Sequence, residues 1–143
     1  MAKSLTTCNN LLRLIFNATP WANMADNAAT SPYTNLFIGL YTADPGTGNS
    51  QLTNETSYTN YTRIGVVRTS SGWTVSSNTA VNAALIQFPQ CGATGATLTH
   101  VAIGTNSTGA GNVLYSGPLN SSLAVASGIQ PQFNASALTV TET

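Results

Sequence analysis

Apolar side chains recur at spacings of three and four only at the start of the chain, at Leu5, Cys8, Leu12 and Ile15, with Leu11 and Phe16 beside them. That spacing places them on one side of an α-helix. Ser4 supplies an N-cap. Thr19-Pro20 stops the helix, because proline has no N–H to donate and biases its predecessor away from helix. The predicted helix is Leu5–Phe16. A helix this short is marginal in water, so its apolar stripe needs a partner surface. Leu5, Leu12, Ile15 and Phe16 are therefore the candidate interface residues, expected to dock on the chain's own β-structure, on a neighbouring subunit or on a larger assembly.

After an irregular connection, Trp21–Tyr33, the period changes to 2. Asn35–Thr42 carries Leu36, Ile38 and Leu40 on one face and Phe37 and Tyr41 on the other, the pattern of a central strand. Asp44-Pro45-Gly46 is a turn: Asp bonds its own backbone, Pro sets φ, and Gly takes positive φ. The polar stretch Thr47–Thr59 has no periodicity and reads as a surface loop. Further strands are expected at Tyr61–Thr69, Trp73–Ser76, Val81–Phe88, Thr97–Gly104, Asn112–Ser116, Leu123–Ala126, Ile129–Phe133 and Ala137–Thr141. Turn signals recur every ten or so residues. The fold class is all-β: an antiparallel β-barrel or jelly-roll-like sandwich of about eight short strands with a short N-terminal helix. Residues 1–33 form the helix and linker arm, and residues 34–143 the β-barrel domain.

Charge changes the picture. The basic residues are Lys3, Arg13, Arg63 and Arg68, and the acids are Asp26, Asp44, Glu55 and Glu142. The net charge is zero and the charged fraction 6%, against about 25% in ordinary globular proteins. Such a surface offers no attraction for nucleic acid or anionic lipid. It also lacks the net charge that keeps soluble monomers apart, which fits a protein packed in an assembly. No segment approaches the roughly 20 apolar residues of a spanning helix, and no secretory signal is expected from Leu11–Phe16, which is short and interrupted by Arg13. Cys8 and Cys91 are read as small buried hydrophobes or a single bridge, not as a disulfide framework. The Asn-x-Ser/Thr triplets follow from a composition rich in these residues.

Candidate chemistry is sparse, and no enzymatic activity and no cofactor are expected. Catalysis needs a nucleophile with a base, a carboxylate pair or a metal. The lone histidine, His100, lies in a predicted strand with Leu98 and Ala102 and reads as structural. Asp44 and Glu55 flank one loop but do not make a recognised calcium loop. Gly104–Gly111 is glycine-rich, yet it lacks the Lys-Ser/Thr of a phosphate loop and leads into a strand, so it reads as a hairpin turn. Tyr58 and Tyr61 at the loop exit either stack on a sugar or pin the loop to a sheet. Arg63 and Arg68 point to opposite faces of their strand. At least one must be buried, and a buried guanidinium needs a carboxylate or several carbonyls; Glu55 is the nearest acid to Arg63.

Read end to end, the chain resembles a widespread phage family of capsid decoration or cement proteins, often labelled phage tail fibre protein. The resemblance runs through Leu36-Phe37-Ile38-Gly39-Leu40-Tyr41-Thr42-Ala43-Asp44-Pro45-Gly46, Glu55, Tyr61-Thr62-Arg63 and Ile86-Gln87-Phe88-Pro89. It continues through Thr99-His100-Val101-Ala102-Ile103-Gly104, Gly111–Leu119 and Phe133–Thr141. The family often has Gly where Ser136 stands and an aromatic where Val101 stands. The linker Trp21–Tyr33 is longer than usual. The resemblance implies a virion protein on the capsid surface, made in the host cytoplasm, that stabilises the head by bridging subunits of the major capsid protein, with a homotrimer as the expected form. The alternative is a tail fibre or receptor-binding component. Neither implies a nucleic-acid or membrane partner.

Overall fold

The computed structural model describes residues 3–21, 32–48 and 50–143; most of the Trp21–Tyr33 connection lies outside them. The helix α1 (Leu5–Phe16) forms at the predicted bounds, and the Ser4 hydroxyl accepts from the Thr7 N–H at 3.2 Å. Nine strands follow among the described residues: β1 (Asn35–Tyr41), β2 (Ile64–Val67), β3 (Trp73–Ser76), β4 (Thr79–Asn82), β5 (Ile86–Gln87), β6 (Ala96–Gly104), β7 (Val113–Val125), β8 (Gln132–Phe133) and β9 (Thr139–Thr141). They make a four-stranded sheet ordered β2-β1-β6-β7, a three-stranded sheet ordered β3-β4-β9, and the pair β5-β8. The pairings β1–β6, β6–β7, β3–β4 and β4–β9 are antiparallel. The all-β class with one short N-terminal helix holds.

The barrel alternative does not hold, because the four-stranded sheet ends at β2 and β7 and no sheet closes on itself among the described residues. Period-2 alternation reports which face a residue occupies but not which strand lies beside it. It therefore does not distinguish one closed sheet from several short ones.

The chain divides into two compact units whose segments alternate along the sequence. The first is Met1–Asn35, Val67–Ile86 and Phe133–Thr143; the second is Leu36–Val66 and Gln87–Gln132.

In the first unit α1 packs on β3 and β4. Cys8, Leu12 and Phe16 face inward, four residues apart, and the Phe16 ring lies 4.6 Å from that of Trp73. Burying a leucine or phenylalanine in this way stabilises by roughly 1.5–3 kcal/mol per side chain. The helix also gains a polar tie: Asn17 donates its amide to the Trp73 carbonyl at 3.0 Å. Asn82 is fully buried at the end of β4, on the same face as Ala80. Its amide donates to the carbonyls of Ala84 and Asn134, and its side-chain oxygen accepts from the Leu138 N–H, each at 2.8 Å. The predicted strand Val81–Phe88 therefore splits at Asn82 into β4 and β5. Ser136, where the resembling family often has glycine, has φ +63, in the left-handed region.

In the second unit β1 runs against β6 in the register Phe37↔Gly104 to Tyr41↔His100. Leu36, Ile38, Leu40, Leu98 and Ile103 are buried. The predicted strands Asn112–Ser116 and Leu123–Ala126 are one strand, β7, which runs through Gly117-Pro118. Proline is tolerated there because β7 is an edge, where a missing N–H need not break a ladder. Two irregularities accompany it. Leu98↔Leu123 and His100↔Pro118 leave Thr99 opposite the four residues Leu119–Ser122, and Ile103↔Tyr115 with Gly104↔Val113 leaves Leu114 extra. Such bulges, with Pro118, blunt an edge that has no charged side chain to protect it.

Candidate functional site

The most built-up polar cluster lies in the second unit, at the foot of the loop between β6 and β7. Glu55 is placed by a bridge to Tyr41, the last residue of β1, and by the Thr56 N–H, which donates to the Leu40 carbonyl at 2.9 Å. Arg63 stands just before β2. Its Nε donates to Glu55 Oε1 at 2.6 Å and its Nη2 to Glu55 Oε2 at 2.7 Å, a bidentate pair. The Arg63 side chain is 2% exposed and that of Glu55 12%. The guanidinium's remaining bonds go upward into the loop: Nη1 to the Asn106 carbonyl and Nη2 to the Gly109 carbonyl, both at 2.9 Å. Burial opposes the Arg63 charge, but the hydrogen bond and attraction of Glu55, with Tyr41 and Tyr61 beside it, outweigh burial and hold its pKa above the ordinary value.

Gln51 completes the cluster from the other side. It is buried, and its side-chain oxygen accepts the N–H of Thr105 at 3.1 Å and of Asn106 at 2.9 Å. Its own N–H donates to the Ala110 carbonyl at 2.5 Å. A Cβ on Gly104 or Gly111 would run into the Gln51 side chain, and Gly111 also has φ +47. These two glycines are therefore required by a close approach and not by a turn alone.

Tyrosines wall the cluster. The Tyr41 hydroxyl donates to the Gln51 carbonyl at 3.0 Å, and the Tyr61 hydroxyl donates to Glu55 at 2.9 Å while accepting the Leu40 N–H. Tyr58 donates to the Pro89 carbonyl, and its ring meets Tyr61 edge-on at 5.3 Å. Tyr61 in turn stacks on Phe88. Burial pushes the phenols of Tyr41 and Tyr58 up to about 12 and that of Tyr61 higher still. Tyr58 and Tyr61 thus pin the loop to the sheet, and their rings are spent on each other and on Phe88.

The predicted strand Tyr61–Thr69 shortens to β2, which leaves both arginines just outside it, but the expected pairing is found: Arg63 takes Glu55, and Arg68 takes carbonyls. The Arg68 guanidinium donates to Ile15 at 2.6 Å, Leu14 at 2.8 Å and Tyr33 at 2.7 Å. It thereby satisfies carbonyls at the C-terminus of α1, where a cation is favoured. Burial lowers its pKa. Asp44 Oδ1 accepts the Gly46 N–H at 2.8 Å, and Gly46 has φ +72, as the turn chemistry requires. Among the described residues no group of three metal-ligating side chains comes together, and no helix is long and apolar enough to cross a membrane.

The candidate interface residues separate. Leu12 and Phe16 are buried in the first unit, Ile15 is half-buried, and Leu5 is 64% exposed beyond the end of the buried stripe. His100 is half-buried at the β6 irregularity, and its Nδ1 lies 2.9 Å from the Thr99 hydroxyl. Cys8 and Cys91 are free and buried. Two residues were not anticipated. Asn82 carried a signal, being an amide at an inward strand position beside Ala80. Gln51 carried none, because it sits in an aperiodic polar loop, and Thr47–Thr59 proves to bury Gln51, Thr56 and Tyr58.

The family model of podophage GP4 fiber I protein gp80 matches residues 4–141. The chain belongs to that family, and it is a bacteriophage structural protein, a component of the virion. No curated protein matches it.

Proposed function

We propose that the chain is a non-enzymatic fibre component of the phage tail that self-associates, with a closed threefold ring as the expected form. The observation that carries this reading is the family match over residues 4–141, whose description is of a fibre protein. The side-chain inventory is consistent with it: the acids Asp44 and Glu55 and the cations Arg63 and Arg68 are all committed to internal bonds. A second reading, a decoration protein that stabilises the head by bridging subunits of the major capsid protein, is favoured by the near-neutral, 6% charged chain, which offers little repulsion against dense packing on a shell. Copy number and position in purified particles separate the two. A fibre component is expected in a handful of copies, with specific antibody label at the tail. Label spread over the head, with copies on the order of those of the shell subunits, would replace the fibre reading with the decoration one. Absence from the particle would overturn both.

A further inference from the structure

Of the eight charged residues in the chain, two are placed beneath a single surface loop. A hairpin needs no such device to reverse direction; two residues with suitable φ suffice. Here eight residues, 105–112, connect β6 to β7, and five of their backbone groups are held from below. The carbonyls of Asn106 and Gly109 accept from Arg63, the carbonyl of Ala110 accepts from the Gln51 N–H, and the N–H groups of Thr105 and Asn106 donate to Gln51. The Thr105 hydroxyl adds a bond from the Asn112 N–H at 2.9 Å. Meanwhile Asn106, Ser107, Thr108, Gly109 and Ala110 are all exposed. At the foot of the loop Leu114, the extra residue of the β7 bulge, is exposed as well, although it is a large apolar side chain. Bulges re-aim side chains in this manner.

We propose that this clamped loop, with Leu114 beside it, is a docking tip that seats against a second copy of the chain. The inference rests on the self-associating virion reading above and names its contact. Holding the loop rigid before contact removes the ordering entropy that a mobile loop forfeits on binding. The chemistry of the tip selects the occupant. It carries no charge, so a charged partner would lose solvation there without gaining a counter-charge. It carries no aromatic face on which a sugar or base would stack. The surface that fits is uncharged and polar with scattered apolar side chains. This chain supplies one, since every exposed side chain between residues 69 and 141 is uncharged and Leu85, Leu123 and Ile129 are, beside Leu114, the large apolar ones among them. Contact between copies through such surfaces involves no like-charge repulsion.

The test is sedimentation of the purified full chain over a concentration series, with Thr108→Lys and Leu114→Ser as variants. Both positions are exposed, so thermal midpoints should match the unaltered protein, and the comparison reads contact and not folding. The unaltered chain should self-associate, equally in dilute and in molar salt. Thr108→Lys should raise the dissociation constant at least about tenfold, as a charge placed in a desolvated contact does, and Leu114→Ser should raise it in the same direction. Self-association that persists unchanged in both variants would overturn the docking tip while leaving the assembly reading intact. A chain that stays monomeric at every concentration would overturn both.

Discussion

The buried pair beneath the loop makes a quantitative demand. Glu55→Ala removes both carboxylate acceptors of an arginine whose side chain is 2% exposed, along with the partner of the Tyr61 hydroxyl. The two carbonyls of Asn106 and Gly109 that remain to Arg63 are dipoles and do not balance its charge. Breaking a buried pair from one side costs about 3–5 kcal/mol. For a chain of this size that is a fall in thermal midpoint on the order of 10 °C. Arg63→Met removes the other partner. It leaves Glu55, the more exposed partner at 12%, with the Tyr61 hydroxyl still donating to it, so its effect should be smaller than that of Glu55→Ala. The Glu55→Ala/Arg63→Met double variant removes both charges and should be more stable than the sum of the two losses allows, with a coupling energy of about 2 kcal/mol or more. Thermal unfolding followed by near-ultraviolet circular dichroism gives the four midpoints, and amide exchange at residues 105–110 reports the loop. A coupling energy under about 0.5 kcal/mol, the scale of an exposed pair, would refute the claim that this pair is what holds the loop.

Three other outcomes follow from the geometry. Leu12→Ala should cost about 2–5 kcal/mol in denaturant unfolding, while Leu5→Ser, at the exposed end of the same stripe, should stay within about 0.5 kcal/mol. Ser136→Gly should stabilise by up to about 1 kcal/mol, because the left-handed φ at this position costs a residue with a Cβ more than glycine loses in chain entropy. The phenols of Tyr41 and Tyr58 are raised from 10.0 to about 12, so the fold favours their neutral forms. That contribution is complete below pH 10 and is lost as pH rises through 10 to 12; tyrosinate absorbance should appear together with unfolding in this window and not before it.

Local chemistry was readable where it depends on adjacent residues. Ser4, the helical spacing and Pro20 gave α1 its bounds, and Asp44-Pro45-Gly46 gave its turn. Strand parity did not place Arg63 and Arg68, which flank β2, but the sequence distance to Glu55 identified one partner correctly. What escaped reading depends on neighbours remote in sequence. The union of two predicted strands into β7 is permitted because β6 alone flanks it, and Pro118 gives no hint of that from its own surroundings. Gln51 looked like any polar loop residue, since its partners Thr105 and Asn106 lie more than fifty positions away. The departure at Ser136 was visible as a residue type, but its left-handed backbone was not.

The alternation of the two units along the chain has a consequence for how the molecule is made. The first unit receives its helix from the beginning of the sequence, β3 and β4 from the middle, and β9 from the last few residues. Asn82 waits in mid-chain for Asn134 and Leu138. During synthesis Leu12 and Phe16 must therefore remain uncovered until Trp73 and β4 emerge, and the sheet beneath them is incomplete until β9 follows. Neither unit is a continuous stretch that can close while the other is still being translated. Folding governed by such distant pairings is slow relative to that of helical chains of equal size. The exposed intermediate is the stage at which copies of this nearly uncharged chain are most open to premature association.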